Sequence, residues 1–354
     1  MKKIFFLLLV LTISMSCDKS DDKDQTEGIS ILGEEEWLIS RREIKDGGTG
    51  RDGIPSIDNP KFIVDPGVNS GGLADDEIVI GVYFDGEARA YPHYILDWHE
   101  IVNDVLGNFP ITLSYCPLTG TAFAWERDSD SPDSTFGVSG LLYNSNLLLY
   151  DRRTESLWSQ LKLQCVNGDL IGERPTLYNI VETDWRTWKK LYPETLVLSE
   201  DTGLSRNYDT YPDGDYKTND NYLLFLPAPH DRRLPNKKRV YAIIDNDKSK
   251  AYQFEDFTGG KAIIDTFNNK KYLIVGDENI INSFALNLDN EELNFEYELS
   301  ASGGFFKDNL GTIRSVFGNV VSGDLGDYLT PANSVISYWF AMGAFYPELE
   351  IHVP

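Results

Sequence analysis

The chain has 354 residues, with 56 acidic against 32 basic side chains and a formal charge of −24. Such a surface repels phosphate backbones and anionic headgroups, which excludes nucleic acid as a partner and an electrostatic grip on lipid. The length suffices for two domains of ordinary size, while four histidines and three cysteines leave few places for metal or thiol chemistry.

Residues 1–16, with Lys2 and Lys3 ahead of the apolar run Ile4 to Leu11, form a secretory signal peptide. That run is far short of the roughly 20 residues that span a bilayer, and no later segment is longer. The small residues before Cys17 resemble the lipobox of bacterial lipoproteins. The resemblance implies cleavage before Cys17, acyl chains such as palmitate on its thiol and amine, and anchoring in the outer membrane. Residues 17–28 (CDKSDDKDQTEG) cannot bury enough surface to fold and act as a disordered acidic tether. An acidic run behind an acylated cysteine also resembles the export signal of surface lipoproteins in the Bacteroidetes, which implies exposure at the cell surface.

Residues 29–76, rich in glycine and proline without sustained periodicity, read as an extended arm. From residue 77, EIVIGVYFDGEARAY alternates around Asp85-Gly86, a type I′ hairpin signal. Ile95, Trp98, Ile101, Val102 and Val105 recur near helical spacing up to Gly107 and predict a short amphipathic helix. FPITLSYC, TAFAWER, STFGVSG and NLLLYDR read as successive strands. WRTWKKLYP reads as a helix opened by Thr183 or Asp184 and stopped before Pro193. Residues 201–238, rich in Asp, Asn, Tyr and Pro, read as a linker, and VYAIIDNDKSKAY begins another hairpin.

Residues 80–198 recur in degraded form at 241–353. Trp185, Tyr192, Pro193 and Glu194 recur as Trp339, Tyr346, Pro347 and Glu348 at an offset of 154 residues, VNGDL recurs as VSGDL, and ARAY recurs as SKAY at an offset of 161. A period this long implies two related units rather than a solenoid. The fold class expected is α+β, mainly β: two tandem related β-rich domains, 77–200 and 239–354, arising by internal duplication and each ending in a short helix.

Trp98-His99 falls opposite Gly259-Gly260 and Cys116 opposite Gly276, so the second copy lacks the groups most capable of chemistry. Around them the first copy resembles the secreted prokaryotic proteins grouped as domain of unknown function 3179. The resemblance lies in ARAYPHYILDWHEIVND, SYCPLTGTAF, FGVSGLLYNSNLLLYDRRTESLWSQ and WKKLYPETLVLSEDTG, and it covers most of residues 50–240. Many members look to have a second cysteine where this chain has Thr119, and that departure counts against a C-x-x-C couple here. The resemblance fixes the location of a site and leaves its chemistry open.

Several chemistries remain. Cys116, His99 and His93 would suit a soft, copper-like transition metal. Alternatively Cys116 is a nucleophile with His99 as its base, oriented by Asn103, Asp97 or Glu100. In either case Tyr143, Asn144, Ser145, Asp151, Arg152, Arg153, Ser156 and Trp158 would line a small-ligand pocket. A third reading is non-catalytic: Trp98, Trp125, Trp158 and Tyr143 would stack on a glycan or a partner protein. The blander alternatives are a hydrogen-bonded core histidine and a disulfide between Cys116 and Cys165.

Overall fold

Alternating apolar patterns and tight turns dominate the chain, and the computed structural model is accordingly mainly β. It describes residues 36–354 apart from 66, 68–71, 132–133, 288–292, 302 and 324–327. The signal peptide, Cys17, the tether and the start of the arm lie outside the described residues.

Residues Ile78–Phe84 and Glu87–Pro92 form the expected hairpin, with positive φ at both Asp85 and Gly86. Val181–Asp184 adds antiparallel on one side and Leu196–Leu198 adds parallel on the other. The same order recurs later. Arg239–Asp245 pairs with Lys248–Tyr252, flanked by antiparallel Ser334–Tyr338 and parallel Glu350–Ile351. Registers recur with it: Leu196 lies opposite Arg89, and Glu350 lies opposite Lys250. In each sheet the antiparallel flanking strand runs directly into a seven-residue helix, Trp185–Leu191 or Trp339–Phe345. Asp184 caps the first, its carboxylate accepting from the Thr187 amide at 2.7 Å.

The segment from Ile95 to Val105 departs from the helix its spacing predicts. One turn, His93–Leu96, is followed by a reversal over residues 97–100 and then by strand Ile101–Leu106. The spacing is helical, but a strand buried on both faces need not alternate, and the choice falls to the neighbours. Ile101, Val102 and Val105 are β-branched, and Gly107, at φ +62°, turns the chain into a hairpin with Phe109–Cys116. Thr121–Glu126 completes the meander. Lys261–Phe267, Lys270–Gly276 and Ile281–Leu286 form a second such meander.

Two contacts are reciprocal. Thr183 Oγ1 donates to Asn279 O at 3.1 Å, and Ser337 Oγ donates to Thr119 O at 3.3 Å. Each joins the end of a flanking strand in one segment to the turn of a meander in the other. The cores cross the same boundary. One cluster packs Cys116, Trp125, Leu147 and Trp158 with Val240, Trp339, Phe340 and Met342. A second packs Trp185 and Trp188 with Phe284, Phe305 and Phe317. A buried tryptophan removes on the order of 200 Å² from water, about 5 kcal/mol at ~25 cal/mol/Å². These contacts make residues 36–354 one unit. The arm joins it through strands Ile44–Asp46 and Phe62–Val64, and residues 201–238 lie over it without regular strands or helices.

Candidate functional site

His99 sits in the reversal after His93–Leu96 and is fully buried. Its Nδ1 lies 2.8 Å from Pro55 O and its Nε2 lies 2.6 Å from Tyr208 OH. A carbonyl can only accept, so Nδ1 carries the proton and Nε2 accepts from the tyrosine. Burial lowers the imidazole pKa. The neutral ring therefore ties the arm to residues 201–238, and neither nitrogen is free for a ligand or a proton transfer.

Cys116 ends its strand fully buried, with Sγ 3.6 Å from Ser145 O. Burial, with the Glu100 carboxylate as the second cause, pushes the thiol up to about 12. No histidine is among its hydrogen-bond partners, so the thiolate that a nucleophile or a soft metal needs is disfavoured. Cys165 is likewise buried, and both thiols are free. Among the described residues, no three His, Cys, Asp or Glu side chains converge to hold a metal. The donor set Cys116, His99 and His93 does not fit a copper-like ion.

The remaining residues expected at a site are structural ties. Asn103 donates to Asp58 Oδ1 and Phe136 O, and it accepts from Thr112 Oγ1 and the Phe136 amide. Asn144 and Ser145 bind the backbone of Ala228 and Phe225. Asp151 accepts from Thr154 and from Trp158 Nε1, and Ser156 holds the Leu170 amide. Arg152 clamps Asp58 and Ser56 of the arm, exposed Arg153 reaches Ser131, and Tyr143 packs edge-on against Phe345.

His93 is the exception. It opens the one-turn helix, lies tilted against the Tyr115 ring with centroids 4.2 Å apart and is 9 % exposed. Its Nε2 is buried without a hydrogen bond among the described residues; Glu182 Oε1, at 3.6 Å, is too far. The ring lines a cavity of about 270 Å³ together with Tyr115, Glu182, Lys217, Arg239 and Tyr338. An adjoining cavity of about 400 Å³ shares Glu77, Tyr94 and Asp97 with the first and adds Glu200, Tyr208, Asp209 and Tyr211. Gly120, at φ +60°, lets the Tyr338 ring approach where a Cβ would lie 3.2 Å from it.

Charge in this cleft is arranged in pairs. Lys217 Nζ meets both oxygens of Asp97 at 2.6 and 2.7 Å, and Arg239 Nη2 donates to Glu182. Burial raises Asp97 to about 6 against the pull of Lys217, and it raises Glu182 against the pull of Arg239. Burial, then Lys217 and Arg239, holds His93 well below its ordinary value, so the ring is neutral at pH 7. Counting Asp76, the walls carry six carboxyl side chains against two cations and present mainly acceptors.

Fold and site together define a β-rich protein in which two segments and their connection enclose a polar, tyrosine-lined cleft. The chain belongs to the family described as protein of unknown function DUF3179, whose profile matches residues 51–349. A search of curated proteins and a search of solved structures found no match.

Most cleft residues escaped the sequence. Glu182 lies within Val181–Asp184 and Tyr338 ends Ser334–Tyr338, while Lys217 comes from the irregular connection and Arg239 from the first residue after it. A signal was nonetheless available. At the offsets of 161 and 154 residues, Phe254 stands in place of His93, Thr258 in place of Asp97 and Ile336 in place of Glu182. Like Trp98-His99 and Cys116, these three polar residues face apolar or smaller residues at the same offsets.

Proposed function

We propose that the chain binds a small, donor-rich solute, a polyol or amino sugar, in the cleft around His93. The observation that carries this reading is an acceptor-rich cavity of ligand size lined by the nine-tenths buried His93, whose Nε2 lacks a hydrogen bond among the described residues. An acceptor-rich wall satisfies hydroxyl and ammonium donors, and Tyr94, Tyr115 and Tyr338 supply faces for a sugar ring. The recurring registers support reading 77–200 and 239–354 as related copies, of which the second has exchanged the site's polar groups for Phe254, Thr258 and Ile336.

Titration calorimetry with glucose and glucosamine tests the reading. Saturable binding of either sugar that weakens tenfold or more in His93→Ala and Glu182→Gln supports it. Absence of heat with both sugars at millimolar concentration overturns it. We further propose that the protein works as a lipid-anchored protein at the outer membrane surface, as the lipobox-like run before Cys17 suggests. Incorporation of a palmitate analogue should vanish in Cys17→Ala, and its persistence would exclude Cys17 as the acylated residue.

A further inference from the structure

A third cavity lies on the other side of the same reversal. It measures about 100 Å³ and is walled by Ile54, Leu118, Val138, Leu142, Leu147 and Leu224, with the carboxyls of Glu100 and Asp213 as its charged groups. No lysine, arginine or histidine lines it among the described residues. Exposed Asp213 and half-exposed Leu224 sit at its edge and give it access to solvent.

Glu100 is the anomaly. Its residue is 5 % exposed and lines the cavity, and burial, Asp213 and Asp97 act on its carboxyl with no hydrogen bond among the causes. An uncompensated buried carboxylate is costly, and native proteins leave few of them. The backbone adds strain: φ is +56° at a residue with a long side chain. Two bonds hold it there, Glu100 N to Leu96 O at 2.8 Å and Tyr115 N to Glu100 O at 2.7 Å. The titratable groups that act on it or feel it are Asp97, Asp213 and the Cys116 thiol, and each of them is acidic. Lys217, the cation that acts on Asp97, is held by both of its oxygens. What this cavity lacks is a positive charge on an apolar body.

We propose that the cavity over Glu100 binds a small aliphatic ammonium ion, its charged head on the Glu100 and Asp213 carboxyls and its chain against the leucines. The volume is that of roughly three liquid waters at ~30 Å³ each, which suits a short alkyl chain. Burial and the two neighbouring carboxylates raise Glu100 to about 8, so at pH 7 it is mostly protonated before the ion arrives. Binding then exchanges the carboxyl proton for the ammonium: one proton leaves to the buffer, and the carboxylate pairs with the ligand. Affinity consequently rises with pH up to about 8 and levels off above it.

Titration calorimetry of n-butylammonium chloride into the full chain, at pH 7 in phosphate and in Tris, reads the proton count directly. The expected result is one site, close to one proton released, and binding at least tenfold weaker in Glu100→Gln, which should also release no proton. n-Butanol, of the same shape without the charge, should not bind detectably. Asp213→Asn, a surface change that leaves the core intact, should weaken the ion several-fold. Equal affinity for n-butanol and n-butylammonium overturns the proposal, as does unchanged affinity in Asp213→Asn or in folded Glu100→Gln.

Discussion

Replacing Glu100 with glutamine isolates the cost of a carboxyl that is buried beside other carboxylates. In the unfolded chain this group titrates near 4.5, whereas in the folded protein burial raises it to about 8. Above pH 4.5 the unfolded chain therefore binds fewer protons than the folded one, and stability falls as pH rises. The contribution is fully present below pH 4.5 and is lost progressively up to pH 8. Each pH unit between the two values costs about 1.4 kcal/mol. Allowing for partial protonation at both ends, the loss between pH 5 and pH 8 is on the order of 3–4 kcal/mol. Glutamine has the same shape and does not titrate, and Asp97 titrates in both proteins, so the difference between the two curves reports Glu100. Urea unfolding of wild type and Glu100→Gln at half-unit steps should show wild type falling relative to the variant across that window. Parallel curves would refute the reasoning, because they would mean that Glu100 ionises equally in both states.

Further measurements follow from the packing. Both free thiols should resist Ellman's reagent at pH 7 until the chain unfolds, since burial raises Cys116 to about 12 and Cys165 to about 11; rapid native labelling would restore the nucleophile. Gly81→Ala would set a Cβ 2.2 Å from the Trp188 ring and should cost about 1–3 kcal/mol by denaturant unfolding. Asn103→Ala leaves the buried Thr112 hydroxyl and the Phe136 amide without a partner and should cost about 3 kcal/mol or more. Asp184→Ala removes the helix cap and should cost about 1 kcal/mol, measured the same way.

Much of the local structure was legible in residue order. Phe109–Cys116 and Thr121–Glu126 follow from apolar runs punctuated by turn residues, and the Asp85-Gly86 hairpin follows from two residues that tolerate positive φ. Asp184 ahead of Trp185 announced a helix because its carboxylate satisfies an amide that the first turn leaves free. Ile101–Leu106 was misread, since the spacing of Ile95, Trp98, Ile101, Val102 and Val105 is helical, while a strand buried on both faces need not alternate. The strand wins because Phe109–Cys116 pairs along its whole length, a contact that only the folded hairpin provides.

The candidate site was legible only in part. DWHE was singled out for its histidine, yet His99 is saturated by Pro55 and Tyr208, and the group in that reversal buried beside other carboxylates is Glu100. Hydrogen bonding distinguishes the two, and sequence carries no record of it. His93 was named as a metal ligand; its neighbours in space, Glu182, Lys217 and Arg239, lie 89 to 146 residues further along the chain.

By itself the sequence determined a β-rich chain with an acidic surface and short motifs that recur at offsets of 154 to 161 residues. These properties rest on local propensity, net charge and spacing, which one chain displays without folding. Only the tertiary structure decided which polar residues are satisfied and which are not. Asn103, Asp151 and Arg152 find partners across the arm and the sheets, whereas His93 Nε2 is buried without one and Glu100 is buried beside other carboxylates. Satisfaction depends on distances between residues remote in sequence, and those are set when Trp339, Trp185 and their neighbours close the shared core.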